Sequence, residues 1–517
     1  LTPSLLPRTP FTQGLVSGVS LAAGYWIGVA LVWLWSYLGL PALHVRARWL
    51  RPATLSICIA IASAVLWRAL EWQNDIRALM NLDPLDSAQP FKVGLIAFPV
   101  FLFLIMLARI FRLTFESISN RLKKAVPDRI SHFIGFTMAV VFFWSIANGV
   151  LFRAGLRMAD ISFQQFDALM EPGVEKPVDP LRTGSKASLI PWADLGRAGR
   201  EFVSTGPSRG DIGAFIGRDA FEPIRVYAGL NSAKTAASRA QLALEELKRV
   251  NSFDRSALVI VTPTGTGWID PGAIDTLEYL HEGDIATVAV QYSYLSSWLS
   301  LMVDPDYGAK SSRALFMAVY NYWTQLPPDS RPKLYLHGLS LGALNSDLSA
   351  DMFDIVADPF HGALWSGPPF QSRTWRVVTQ DRNPDSPAWL PRFRDDSIIR
   401  FTNQQNTLNI PGAHWGPVRI VYLQYASDPV TFFDPSIVFR RPEWISDPRG
   451  PDVSRSLRWF PIVTMVQLAF DMAAATTAPT GYGHVYSAEH YIDAWAHVTD
   501  VNWPQDKISR LKALFGS

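Results

Sequence analysis

The chain of 517 residues carries 47 basic against 45 acidic side chains, and 49% of it is hydrophobic, with a mean hydropathy of +0.10. Its length suggests more than one domain, and its hydropathy is high for a soluble enzyme. A net charge of +2 with no basic stripe interleaved with aromatics gives no expectation of nucleic acid, and the single cysteine, Cys58, excludes an intramolecular disulfide.

The apolar excess lies at the N-terminus. Residues 11–40 are free of charge, and further apolar runs occupy 53–67, 93–108 and 130–152. A hydrocarbon core about 30 Å thick needs about 20 helical residues, so the first and last runs suffice outright. The middle two are shorter, with a buried hairpin or re-entrant segments as their alternative. The first run is a poor export signal, because it is too long, has only Arg8 on its flank and lacks a small-residue cleavage site. Together the runs predict a transmembrane domain of about four helices over residues 1–155. Arg46, Arg48 and Arg51 follow the first run, and Arg109, Arg112, Arg121, Lys123, Lys124 and Arg129 follow the third. The positive-inside rule places both sets on the cytoplasmic side of the membrane. With an even number of spans, the N-terminus and the large C-terminal domain are extracytoplasmic; failure of either short run to cross reverses the side.

Residues 156–210 read as a connector, rich in Pro, Gly and charge. Within the second domain, 211–517, residues 223–229 read as an early strand and 233–250 as an amphipathic helix with Ala237, Ala240, Leu244 and Leu247 on one face. Strands follow at 257–261 and 285–290, a helix at 312–325, and strands at 333–337, 362–365 and 419–426. Strands alternating with helices predict a mostly parallel sheet covered on both faces, hence an α/β fold.

The strand at 333–337 runs into Gly338-Leu-Ser340-Leu-Gly342 and then a helical stretch. A strand that turns at once into a helix strains its turn residue, and glycines two positions to either side let the elements close. That is the nucleophile elbow of an α/β-hydrolase, with Ser340 as nucleophile. In this fold the acid and then the histidine follow the serine. Asp428, directly after the 419–426 strand, is the first candidate acid and Asp434 the second. Of nine histidines only His484, His490 and His497 follow Asp428. His484 stands in a glycine-rich loop from which an imidazole can swing over the serine, whereas His490 and His497 fall in a final helix at 487–498. Oxyanion donors are expected from the Leu341 amide and from Thr264, Gly265 and Thr266 in Thr262-Pro-Thr-Gly-Thr-Gly-Trp268. Ser366-Gly-Pro-Pro-Phe370 is a stiff candidate pocket wall, and the apolar run 459–475 reads as a lid, a membrane-facing helix or a buried core helix. Histidine and cysteine spacing gives no metal site, no G-x-G-x-x-G signature is present, and no cofactor is expected.

Four blocks in one order resemble a family of bacterial membrane-anchored α/β-hydrolases that is largely uncharacterised. They are residues 188–203, Pro223-Ile-Arg-Val-Tyr-Ala-Gly-Leu230, 258–268, and the elbow together with Trp365-Ser-Gly-Pro-Pro369. The resemblance implies an α/β-hydrolase domain preceded by an all-α transmembrane region, and a serine hydrolase or acyl-transfer enzyme. It supplies no substrate. Leu339 stands where related enzymes often carry a polar residue. The expected function is ester hydrolysis or acyl transfer on lipid or lipid-linked acyl esters at the bilayer, through Ser340, Asp428 and His484. The alternative is a membrane scaffold or transporter accessory that uses the fold to bind partners.

Overall fold

The computed structural model describes residues 3–40, 50–123, 126–145, 167, 173–295 and 305–516. Arg46, Arg48 and Lys124, the end of the fourth apolar run, and the connector from 156 to 172 except Asp167 lie outside the described residues. The chain divides into two compact units. The first comprises Leu1–Arg157 together with Val438–Arg441 and Asp452–Ala474, and the second comprises the remainder.

Four helices lead the first unit: α1 (Pro10–Tyr37), α2 (Leu50–Leu79), α3 (Pro90–Leu122) and α4 (Asp128–Trp144). Among the described residues α1, α2 and α3 are each long and apolar enough to cross a membrane, and α4 is shorter. The two runs that look short in the sequence thus lie in the longest helices. Polar residues such as Arg68 and Glu71 in α2 and Arg112 and Glu116 in α3 end the apolar stretch, yet they favour helix and prolong it. Gly14 and Gly18, four residues apart, bring α1 against α3: a Cβ on Gly14 would fall 2.6 Å from Ile96 Cβ, and one on Gly18 2.7 Å from the Ala97 carbonyl oxygen. Close approach at small residues is how helices gain dispersion contact where no water drives them together.

The apolar run at 459–475 belongs to this unit as a helix, Val463–Ala473. The buried ion pair of Arg8 Nη2 with Asp471 Oδ1 (2.8 Å) holds it to the start of α1.

The second unit is built on a seven-stranded sheet whose pairings are all parallel, in the order β1-β3-β2-β4-β5-β7-β6. The strands are β1 (Ile224–Ala228), β2 (Ala257–Thr262), β3 (Ile285–Val290), β4 (Lys333–Leu339), β5 (Gly362–Ser366), β6 (Ile399–Thr402) and β7 (Arg419–Leu423). All but β6 match strands read from the sequence. That edge strand has four residues, and Arg400 interrupts its apolar pattern; its guanidinium lies over the Trp415 ring at 3.9 Å, so the charge is buried against an aromatic face. β1 to β5 are buried almost throughout, as a sheet covered on both faces requires. Helix α5 (Leu341–Asp347) follows β4, and α6 (Ala488–Thr499) and α7 (Gln505–Phe515) close the chain.

Candidate active site

β4 ends where Leu339 pairs with Ser366 of β5, and the next residue is Ser340. Its backbone is at φ 58°, ψ −126°, a conformation an L-residue holds only when its surroundings impose it. The Ser340 amide donates to the Ser366 carbonyl at 2.9 Å. A Cβ on Gly338 would lie 2.4 Å from the Gly342 carbonyl carbon, and one on Gly342 2.3 Å from the Thr262 carbonyl oxygen. Both glycines are therefore required, the second because β2 exits directly against the elbow. Leu341 is the first residue of α5, so its amide has no intrahelical acceptor.

Asp428 follows β7 and caps the short helix Pro429–Phe432, its Oδ1 accepting from the Val430 amide at 2.9 Å. Its Oδ2 accepts three side-chain hydrogen bonds: from His484 Nδ1 (2.7 Å), from the Tyr486 hydroxyl (2.7 Å) and from Thr431 Oγ1 (3.2 Å). The carboxylate is fully buried. Burial, then the charge of Asp428, pushes the Tyr486 phenol well above its ordinary pKa, so the hydroxyl stays protonated and donates.

With Nδ1 fixed on the carboxylate, His484 turns Nε2 into the interior, where it has no hydrogen-bond partner among the described residues. The loop carrying it turns at Gly481 (φ 87°) and Gly483 (φ 58°), and the Gly483 amide donates to Ser427 Oγ at 2.9 Å, beside the acid. The imidazole packs on Gly367, the residue after Ser366: a Cβ there would fall 2.7 Å from Cε1 and 2.9 Å from Nδ1. The end of β5 therefore meets the His484 ring on one side and, through the Ser366 carbonyl, the elbow on the other.

The chain matches the family described as Alpha/beta-hydrolase family over residues 224–511, and its N-terminal companion, Alpha/beta-hydrolase family N-terminus, over residues 1–207. The chain belongs to the α/β-hydrolase family. No curated protein matches it.

The other candidates occupy places that make them poor members of an α/β-hydrolase triad. Asp434 is exposed and accepts from the Ser436 amide at 2.7 Å, as a turn aspartate does. His490 lies on α6 with Nδ1 2.6 Å from the Tyr425 hydroxyl, and burial, followed by the charge of Lys512, drives its pKa down to about 4. His337, three residues before the serine, is a core residue whose Nδ1 meets the Leu364 carbonyl at 2.8 Å.

The β2 loop departs from expectation at Thr264. The Thr264 amide already donates to the Trp268 carbonyl at 2.9 Å, so in this conformation it does not serve as an oxyanion donor. The turn is closed by the Gly267 amide on the Thr264 carbonyl (2.9 Å) and held by the Tyr227 hydroxyl on the Gly267 carbonyl (2.8 Å). Sequence reasoning also missed Tyr486 and Gly367. Gly367 stood in a block read as a pocket wall; a tyrosine two residues after the base carried no signal of its own. Open cavities of about 490 and 480 Å³ occur at Leu230–Lys234 with Arg239 and Tyr307, and at Arg209–Ala220; no triad candidate lines either one, so geometry rather than cavity size marks the site.

Proposed function

We propose that this protein is a membrane-anchored serine hydrolase or acyltransferase acting on lipid or lipid-linked acyl esters. The observation that carries the reading is the buried Asp428–His484 pair, with Nδ1 on the carboxylate at 2.7 Å and Nε2 unpartnered beside the strand end that orients Ser340. Ser340 Oγ attacks the ester carbonyl while His484 Nε2 takes its proton. Asp428, held by Tyr486, Thr431 and the Val430 amide, stabilises the imidazolium. The tetrahedral oxyanion accepts from the Leu341 amide, with the Gly265–Thr266 part of the β2 loop as the second arm. His484 then protonates the departing alkoxide, leaving an acyl-enzyme that water or a second alcohol opens by the same steps in reverse.

The long apolar helices support the lipid assignment, because a tether raises the effective concentration of substrate in the same surface. With α4 as a fourth span, the distribution of arginine and lysine in the sequence supports an extracytoplasmic catalytic unit. A fluorophosphonate probe is expected to label the purified full-length chain and not Ser340→Ala. Equal labelling of both removes the nucleophile assignment, and full biological function in Ser340→Ala favours a scaffold instead. Lipidomic comparison of cells carrying either form then identifies the acyl ester.

A further inference from the structure

The two stretches that leave the sheet-bearing part of the chain, Val438–Arg441 and Asp452–Ala474, have a composition suited to a lipid surface. They meet where the Ile462 amide donates to the Val438 carbonyl at 3.0 Å. Around that junction Phe439 is 84% exposed, Phe460 42%, Ile462 57% and Val463 43%. Ile462 sits at φ 64°, a conformation costly for a β-branched residue, so the chain keeps an aliphatic side chain in solvent at a strained turn.

Charge is distributed just as unevenly. Arg440, Arg441, Arg455 and Arg458 are all exposed. The acidic residues of the two stretches are Asp452 and Asp471, both buried, and Asp471 is paired with Arg8. The tip therefore shows solvent four cations and four large apolar side chains, with no exposed carboxylate of its own.

Its height relative to the apolar helices follows from its fastenings. Asp471 accepts from Arg8 and from the Leu5 amide (2.9 Å), just before α1 begins, and Ser456 Oγ donates to Asp75 Oδ2 (3.1 Å) near the end of α2. The Arg8 amide donates to Gln73 Oε1 at 2.7 Å, tying those two helix ends together. The segment is thus pinned where two membrane-length helices reach their polar ends, which is the level of the headgroups.

We propose that this tip is a docking surface for anionic phospholipid: Phe439, Phe460, Ile462 and Val463 enter the headgroup and upper acyl layer, and the four arginines pair with lipid phosphates. Each arginine near an anionic surface favours partitioning by about five-fold, so the preference for anionic over zwitterionic lipid is steep. This holds whatever reaction the sheet unit catalyses.

The test uses the full chain with Cys58→Ser, Phe460→Cys and a polarity-sensitive fluorophore on the new thiol. It is reconstituted in nanodiscs of phosphatidylcholine, or of phosphatidylcholine mixed equally with phosphatidylglycerol, each doped with shallow spin-labelled lipid. Strong quenching by the spin-labelled lipid is expected in the anionic discs, several-fold weaker quenching in the zwitterionic ones, and a drop to the zwitterionic level when Arg440, Arg441, Arg455 and Arg458 are all changed to Gln. The lipid exchange needs no arginine substitution, so a poorly folding fourfold variant leaves the test intact. A label as open to aqueous iodide as free dye in anionic discs overturns the docking surface, and equal quenching in both lipids overturns its anionic preference.

Discussion

Replacing Gly367 by alanine tests the triad without deleting any member of it. The new methyl carbon would stand 2.7 Å from His484 Cε1, 2.9 Å from Nδ1 and 2.9 Å from Tyr486 Cε2. Ordinary contact begins near 3.4 Å, so the ring has to retreat by about 0.7 Å, against a carboxylate that holds it at 2.7 Å. The backbone is a poor place to yield, because the Gly367 amide is bonded to the Leu423 carbonyl at 3.0 Å. The backbone angle of φ 49° itself costs an alanine roughly 1–2 kcal/mol. A misplacement of about 1 Å in a catalytic group is worth about 10²-fold in rate, so a displacement slightly smaller predicts a fall of roughly 10- to 100-fold in acylation. The assay is the rate of fluorophosphonate labelling in purified full-length protein, with thermal unfolding alongside. A folded Gly367→Ala chain labelled at the wild-type rate refutes the reasoning, because it means the His484 ring is not needed where the structure puts it.

Tyr486→Phe removes one hydrogen bond to a buried carboxylate and is expected to destabilise by about 1.5–3 kcal/mol, with slower labelling; an unchanged melting temperature and rate show the bond to be redundant. His484→Ala is expected to abolish ester turnover while His490→Ala, which loses its hydrogen bond and edge-on ring contact with Tyr425, retains it, and the reverse result exchanges their roles. Burial holds Asp270 up at about 6, against an ordinary carboxylate value of about 3.9. The folded chain therefore binds this proton more tightly, so the contribution is complete below about pH 4 and is lost as pH rises to about 6, a change of roughly 3 kcal/mol. Asp270→Asn keeps the side-chain oxygen that caps the following helix and is expected to flatten that slope in unfolding measured at about pH 4 and about pH 7, which bracket the window; a slope equal to wild type assigns it to another group.

What the sequence disclosed depended on how far apart the cooperating residues lie. The elbow is local: strand, glycines, serine and helix all fall between Lys333 and Asp347, and each backbone constraint maps to one residue type. Asp428 and His484 are 56 positions apart, yet the strand order of the fold confines them to a few places, so elimination sufficed to bring them forward. Tyr486 and Gly367 act by contacts across the fold that no spacing encodes. The Thr264 amide was lost to a turn of its own loop, because glycine content shows that a loop bends and not which amide the bend consumes. The Arg8–Asp471 pair joins residues 463 positions apart, so nothing local hinted that residues 452–474 cluster with the N-terminal helices.

The chain takes an indirect path between Asp428 and His484, and the histidine loop is heavily fastened where it arrives. After Ile437 the chain leaves the sheet-bearing unit, returns at Pro442–Pro451, leaves again, and re-enters at Ala475, nine residues before His484. Several hydrogen bonds fasten this loop, among them the His484 amide on the Ala475 carbonyl (3.3 Å), the Gly481 amide on the Val485 carbonyl (2.8 Å), Gln404 Nε2 on the Gly481 carbonyl (3.1 Å) and the Gly483 amide on Ser427 Oγ (2.9 Å). Ser427 adjoins Asp428, so the last of these ties the loop to the same turn that holds the acid. The His484 imidazole is thereby held against Asp428, at 2.7 Å, from the same turn that fastens its loop.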